Sequence, residues 1–174
     1  SVTIESDMQE LRSAILTTGS TTNNIRETRS VALQLGTRYP SRLIAVNPPP
    51  AEGTLRTEQG SVTVSGAQIA NPEPFRGDPS GTLLGSHSTH YIRYSPNYEE
   101  LDSSSDRVLE NSLLYNANGN VSITDQRLVQ NGSRSINIVL VEGDIDDSGL
   151  SSSVDVTALD GPSAQVPIEA ASGS

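Results

Sequence analysis

Arg107-Val108-Leu109-Glu110-Asn111-Ser112-Leu113-Leu114-Tyr115 is followed, across Asn118-Gly119, by Val121-Ser122-Ile123. Short runs of apolar, β-branched and aromatic residues, broken by a pair that tolerates positive φ, are the pattern of antiparallel strands joined by hairpins. Leu128-Val129 and residues 136–141 repeat the pattern on either side of Asn131-Gly132, and Val154 with Val156 adds a last alternating strand. Upstream, Val31, Leu33 and Leu35 alternate with Ala32 and Gln34. Leu43-Ile44-Ala45-Val46 reads as a more buried strand, halted at Pro48-Pro49-Pro50 because proline has no N–H to give to a ladder. Val62, Val64 and Ile69 suggest another strand, and Tyr91-Ile92-Arg93-Tyr94 one more, stopped by Pro96. Many short strands with turn residues between them predict a mostly-β fold, specifically a β-sandwich of short antiparallel strands.

The first segment breaks this rule. Ile4, Met8, Leu11 and Ile15 recur at helical spacing, Ser6 with Gln9 offers a capping box, and Gly19 a stop. The expected organisation is an amphipathic helix over residues 1–19, a β-rich domain over 29–160, and a flexible Gly-, Ser-, Ala- and Pro-rich tail over 161–174. The apolar stripe has two readings that periodicity does not separate. It packs on the domain's own strands, or it is the stub of an anchor helix running into a membrane or filament core. Residues 71–85 hold Pro72, Pro74, Gly77, Pro79 and Gly81 and read as a long surface loop.

Composition narrows the function classes. With no Trp and one Phe among 174 residues, the core has to be aliphatic. With no Cys there is neither a disulfide nor a thiolate nucleophile. The formal net charge of −10 speaks against nucleic acid, whose phosphates need clustered cations, and against docking on anionic lipid. Every basic residue is Arg, the more weakly hydrated cation, and Lys is absent. A Lys-free acidic surface rich in small residues fits molar salt, where a Debye length of ~3 Å screens repulsion among carboxylates. No apolar run approaches the ~20 residues of a membrane span, so any membrane contact is expected through an anchor outside this sequence.

Several phrases act together: Leu35-Gly36-Thr37-Arg38-Tyr39-Pro40, Val46-Asn47-Pro48-Pro49-Pro50, Gly53-Thr54-Leu55-Arg56-Thr57, Tyr94-Ser95-Pro96-Asn97-Tyr98 and Leu109-Glu110-Asn111-Ser112-Leu113-Leu114-Tyr115-Asn116. From about Met8 to about Leu159 the chain resembles an uncharacterised family of haloarchaeal envelope proteins, grouped with pilin-like secreted proteins. The resemblance implies an N-terminally anchored, extracellular, β-rich domain of a halophilic archaeon, and it carries over no activity and no catalytic residues. The anchor helix of that family is not part of this sequence.

Candidate chemistry is sparse. Asp144-Ile145-Asp146-Asp147-Ser148-Gly149 places oxygen ligands at alternate positions before a glycine, as a calcium loop does. Asp144, Asp146 and Ser148 would bind the ion, with Asp155 at the twelfth position, where such loops use Glu. The plainer reading is an acidic turn. His87 and His90 stand three apart in a stretch running from loop into strand, which turns them to opposite faces and argues against a shared metal. No nucleophile elbow, zinc motif or phosphate loop is present. The pair Glu99-Glu100 lacks the aromatic faces of a sugar cleft. Asn120-Val121-Ser122 and Asn131-Gly132-Ser133 are glycosylation sequons, so Asn120 and Asn131 are candidate modification sites. The expectation is a non-catalytic structural or surface-display domain, with self-association or other envelope proteins as partners. Two alternatives stay open: a calcium- or ligand-dependent adhesion module, and a hydrolase that would need a pocket joining a His to a Ser or carboxylate.

Overall fold

The computed structural model describes residues 2–20, 28–37, 50–65, 67–69, 85–97, 106–118, 121–122, 139–158 and 168–170. Helix α1 spans Val2–Ser20. The strands are β1 (Thr28–Leu33), β2 (Gly53–Val64), β3 (Ala67–Ile69), β4 (Gly85–Pro96), β5 (Arg107–Glu110), β6 (Leu113–Asn116), β7 (Val121–Ser122), β8 (Asp146–Gly149), β9 (Ser152–Thr157) and β10 (Ile168–Ala170). The fold is mostly β, in antiparallel sheets with a single N-terminal helix.

Six strands form one sheet in the order β7-β6-β5-β4-β2-β8, while β1 pairs with β9 and β3 with β10 in two-stranded ribbons. The frame of the sheet is the β2–β4 hairpin, registered from Gly53 opposite Pro96 to Val64 opposite Gly85. Residues 107–115, expected as one strand, are two. Asn111 takes φ +52°, a conformation Asn tolerates better than most residues, and Leu109 folds back opposite Leu114. Two other expectations shift. Residues 139–141 lie outside any strand, and residues 168–170, inside the expected tail, form β10 against β3. Leu43–Val46, Leu128 and Val129 lie outside the described residues.

Helix α1 begins at Val2, so Ser6 sits inside it and does not cap it. Its stripe of Ile4, Met8, Leu11 and Ile15 is buried, with Met8 and Leu11 fully so. These side chains share one cluster with Val31, Leu33 and Leu35 from the ribbon side, and with Leu55, Ile92, Tyr94, Leu109 and Leu114 from the six-stranded sheet. Arg12 Nε donates to the Ser112 carbonyl at 2.6 Å and ties the helix to the β5–β6 turn. A sandwich sets two sheets face to face. Here the described layer opposite the large sheet is α1 together with the β1–β9 ribbon. The stripe from Ile4 to Ile15 is thus packed against the chain's own strands.

Ribbon and sheet are joined at one crowded point. Leu35 and Gly36 both donate backbone N–H bonds to the Leu150 carbonyl, and Thr37 exchanges bonds with Ala51. Tyr94, buried, donates its hydroxyl to the Leu35 carbonyl at 2.8 Å. A Cβ on Gly36 would lie 2.1 Å from the Ala51 carbonyl oxygen, and one on Gly53 would lie 2.4 Å from that of Leu35. Only glycine allows backbones this close.

Candidate functional site

The acidic stretch is a strand edge. The Thr57 N–H donates to the Ile145 carbonyl at 2.9 Å, which makes Thr57 and Ile145 a hydrogen-bonded pair. Alternation along an antiparallel ladder then turns the peptide groups of Asp147 toward β2 and those of Asp146 and Ser148 away from it. The side chain of Asp146 stands opposite Arg56, and that of Asp147 shares the face of fully buried Leu55 while remaining exposed. An extended strand does not wrap oxygens around an ion. Asp155 is on β9, where its carboxylate accepts from the Ser30 hydroxyl, and Asp144 accepts from the Thr57 hydroxyl at 3.4 Å. Asp144 thus lies just before β8, Asp146 and Ser148 on it, and Asp155 on β9 of the other sheet. Among the described residues no three His, Cys, Asp or Glu side chains gather as a metal site. The calcium pattern missed this because alternation along a strand and along a calcium loop look alike in sequence.

His87 and His90 both lie on β4, opposite Val62 and Gln59. The His90 N–H donates to the Val141 carbonyl at 2.8 Å, and its Nδ1, when protonated, donates to the same oxygen at 3.3 Å. Val141 N–H donates to Thr89 Oγ1 at 3.0 Å, and Ile145 N–H to Thr57 Oγ1 at 3.0 Å. Residues 141–145 thus strap across the hairpin, and His90 helps to hold the strap. Neither His lines either of the two described surface depressions. Asn120, Asn131, residues 71–84 and Glu99-Glu100 lie outside the described residues.

A polar network that sequence reading did not single out covers the outer face of the sheet. Arg93 clamps Glu58 through a two-pronged contact, Nε to Oε1 at 3.0 Å and Nη2 to Oε2 at 3.2 Å, and reaches Asp106 Oδ2 at 3.1 Å with Nη1. Arg56 Nη2 adds a contact to Glu58 Oε1 at 3.1 Å. The bond from Glu58 raises the Arg93 pKa above its ordinary value, burial opposes it, and Asp106 adds to the rise. Tyr115 donates to Glu110 at 3.1 Å. Burial, then that bond, raises the Tyr115 pKa. The clue lay in cross-strand register: Arg56 faces Arg93, two cations that need a shared carboxylate, and Glu58 lies two residues along. Paired so fully, these groups hold the sheet and leave no unpaired acid or base for proton transfer.

The larger depression, about 1040 Å³ and open, lies between the start of α1 and the end of β1. Thr3, Asp7 and Gln34 line one side and Ser151, Ser152 and Ser153 the other. The Asp7 carboxylate accepts the Gln34 N–H at 2.8 Å. No protein-family model, curated protein or solved structure matches the chain.

Proposed function

We propose that this chain is a non-catalytic structural or surface-display domain of a haloarchaeal envelope protein, working outside the cell in molar salt. One observation carries the reading: the apolar side chains of the helix and of the sheet's inner face are spent on one internal cluster, and a Lys-free exterior of charge −10 is left outside. Such an exterior suits a solvent in which carboxylate repulsion is screened. The resemblance in Leu35-Gly36-Thr37 and Gly53-Thr54-Leu55 adds support, since these phrases form the glycine junction that joins ribbon to sheet. Among the described residues, His90, Glu58, Asp106, Glu110 and Asp155 hold strands, and neither histidine lines the two depressions.

Expression of the complete reading frame in a halophilic host, followed by fractionation, tests the reading. The product should pellet with membranes or with sheared surface material. A free cytoplasmic protein would overturn it.

A further inference from the structure

Strand β1 has β9 on one side and no other strand among the described residues on the other. The Leu35 N–H bond to Leu150 sets the phase of that ladder. Leu33, Val31 and Arg29 direct their peptide groups at β9, whereas Gln34, Ala32, Ser30 and Thr28 direct theirs away. The Asp7 carboxylate already caps the Gln34 N–H, the first of the outward donors. The edge beyond it, Thr28, Ser30 and Ala32, is exposed and made of small side chains. Two depressions touch β1. One touches Ala32 to Gln34 and lies between Thr3 and Asp7 on the helix and Ser151 to Ser153 at the start of β9; the other touches Arg29 to Val31 and is walled by Glu10, Ala14 and Thr17. Those helix positions, alternately four and three apart, fall on one stripe of α1. Helix α1 thus borders depressions beside a strand edge that no other described strand pairs with.

We infer that a second copy of this chain docks there, β1 against β1, antiparallel about a two-fold axis at Val31. Ser30 then pairs with Ala32 of the second copy and Thr28 with its Gln34, giving a continuous β9-β1-β1-β9 sheet. The register is self-complementary in charge. Arg29 lies on the same side of the strand as Val31 and Leu33, so it comes beside Leu33 of the second copy and the neighbouring Asp7. Asp7 exchanges the Gln34 N–H for a guanidinium, and that N–H passes to the Thr28 carbonyl of the second copy. Like net charges of −10 oppose the approach in dilute buffer, so the pairing belongs to high salt.

The test is the solution mass of the chain across protein concentration, by sedimentation and light scattering, in dilute buffer and at about 1 M NaCl, where the Debye length is ~3 Å. A dimer should form in the high salt. Ala32→Pro removes an N–H that points away from β9, a position where an edge strand tolerates proline, and should return the chain to monomer with its circular dichroism intact. Amide exchange on the unaltered chain gives a second readout that does not depend on that variant folding. The Ser30 and Ala32 amides should exchange at least about tenfold more slowly in the dimer, while those of Val31 and Leu33 are protected in both states. A chain that stays monomeric at every concentration and salt overturns the inference and leaves the edge to a strand of another protein. A dimer in which Ser30 and Ala32 still exchange fast overturns it equally, because the contact then lies elsewhere.

Discussion

Among the described residues, the β1–β9 ribbon and the six-stranded sheet each end in a strand paired on one side only, and the two ends are built in different ways. At β8 the outward peptide groups belong to Asp146 and Ser148, and Asp147 points an exposed charge along the inner face beside Leu55. Charges on an edge, and charges turned inward at one, are how sheets discourage further strands. At β1 the outward groups belong to the small residues Thr28, Ser30 and Ala32, with Glu10 across a depression from Ser30 and Asp7 capping Gln34. Their outer faces differ too. The sheet carries the Arg56–Glu58–Arg93–Asp106 network, while the ribbon shows the Thr28 to Thr157 hydroxyl pair at 2.8 Å and Ser30 against Asp155. Among the described residues, β8 thus carries charge on its own strand, whereas β1 carries small side chains and has its carboxylates on the neighbouring helix.

The largest expected effect comes from the core the two regions share. Leu11→Ala should cost about 3 kcal/mol and lower the melting temperature by about 10 °C, with amides of β1 and of β5 losing protection together. Loss confined to β1 would mean that the ribbon and the sheet do not share a core. Gly36→Ala should come next, at about 2 kcal/mol, since its Cβ meets the Ala51 carbonyl, a backbone group that has to move to make room. Here amide exchange should quicken in β1 while β5 and β6 keep their protection, which separates the joint from the core.

Tyr115→Phe should cost about 1 kcal/mol through the lost bond to Glu110, with urea unfolding as the measure. It also carries a pH signature. Because folding raises the Tyr115 pKa, the phenol's contribution is complete below its unfolded value of 10.0 and is lost as pH climbs through the folded one. The unaltered chain should lose stability more steeply than the variant above that pH. Parallel alkaline curves would remove the sheet's side of the contrast in outer faces. The smallest effect on folding, within about 0.5 kcal/mol, is expected from Asp146→Val with Asp147→Val. Stripped of its charges, β8 should associate edge to edge, seen as light scattering in molar salt where the parent stays clear. A clear solution of the double variant would end the distinction between the two edges.

Local pattern and composition settled a good deal without any structure. The helical stripe from Ile4 to Ile15, the alternation in Val31-Ala32-Leu33 and in Val154-Asp155-Val156, the aliphatic core and the Lys-free acidic balance are all properties of neighbouring residues or of the whole count. A periodicity of 3.6 or 2 is enough to announce them. What it does not announce is partnership. Nothing near Thr28 in sequence signals that it will lie against Thr157, and nothing near Asp146 distinguishes a turn from the last strand of a sheet. The pairing of β2 with β8 across some ninety residues, the packing of the helix against both ribbon and sheet, and the sharing of Glu58 by two arginines were decided by tertiary structure. Each depends on closing long stretches of chain, whose entropic cost is recovered only when the apolar faces meet as one cluster. The same acidic residues that read as a calcium loop became the guard of a strand edge for that reason: their chemistry is local, but which neighbour lies across the ladder is not.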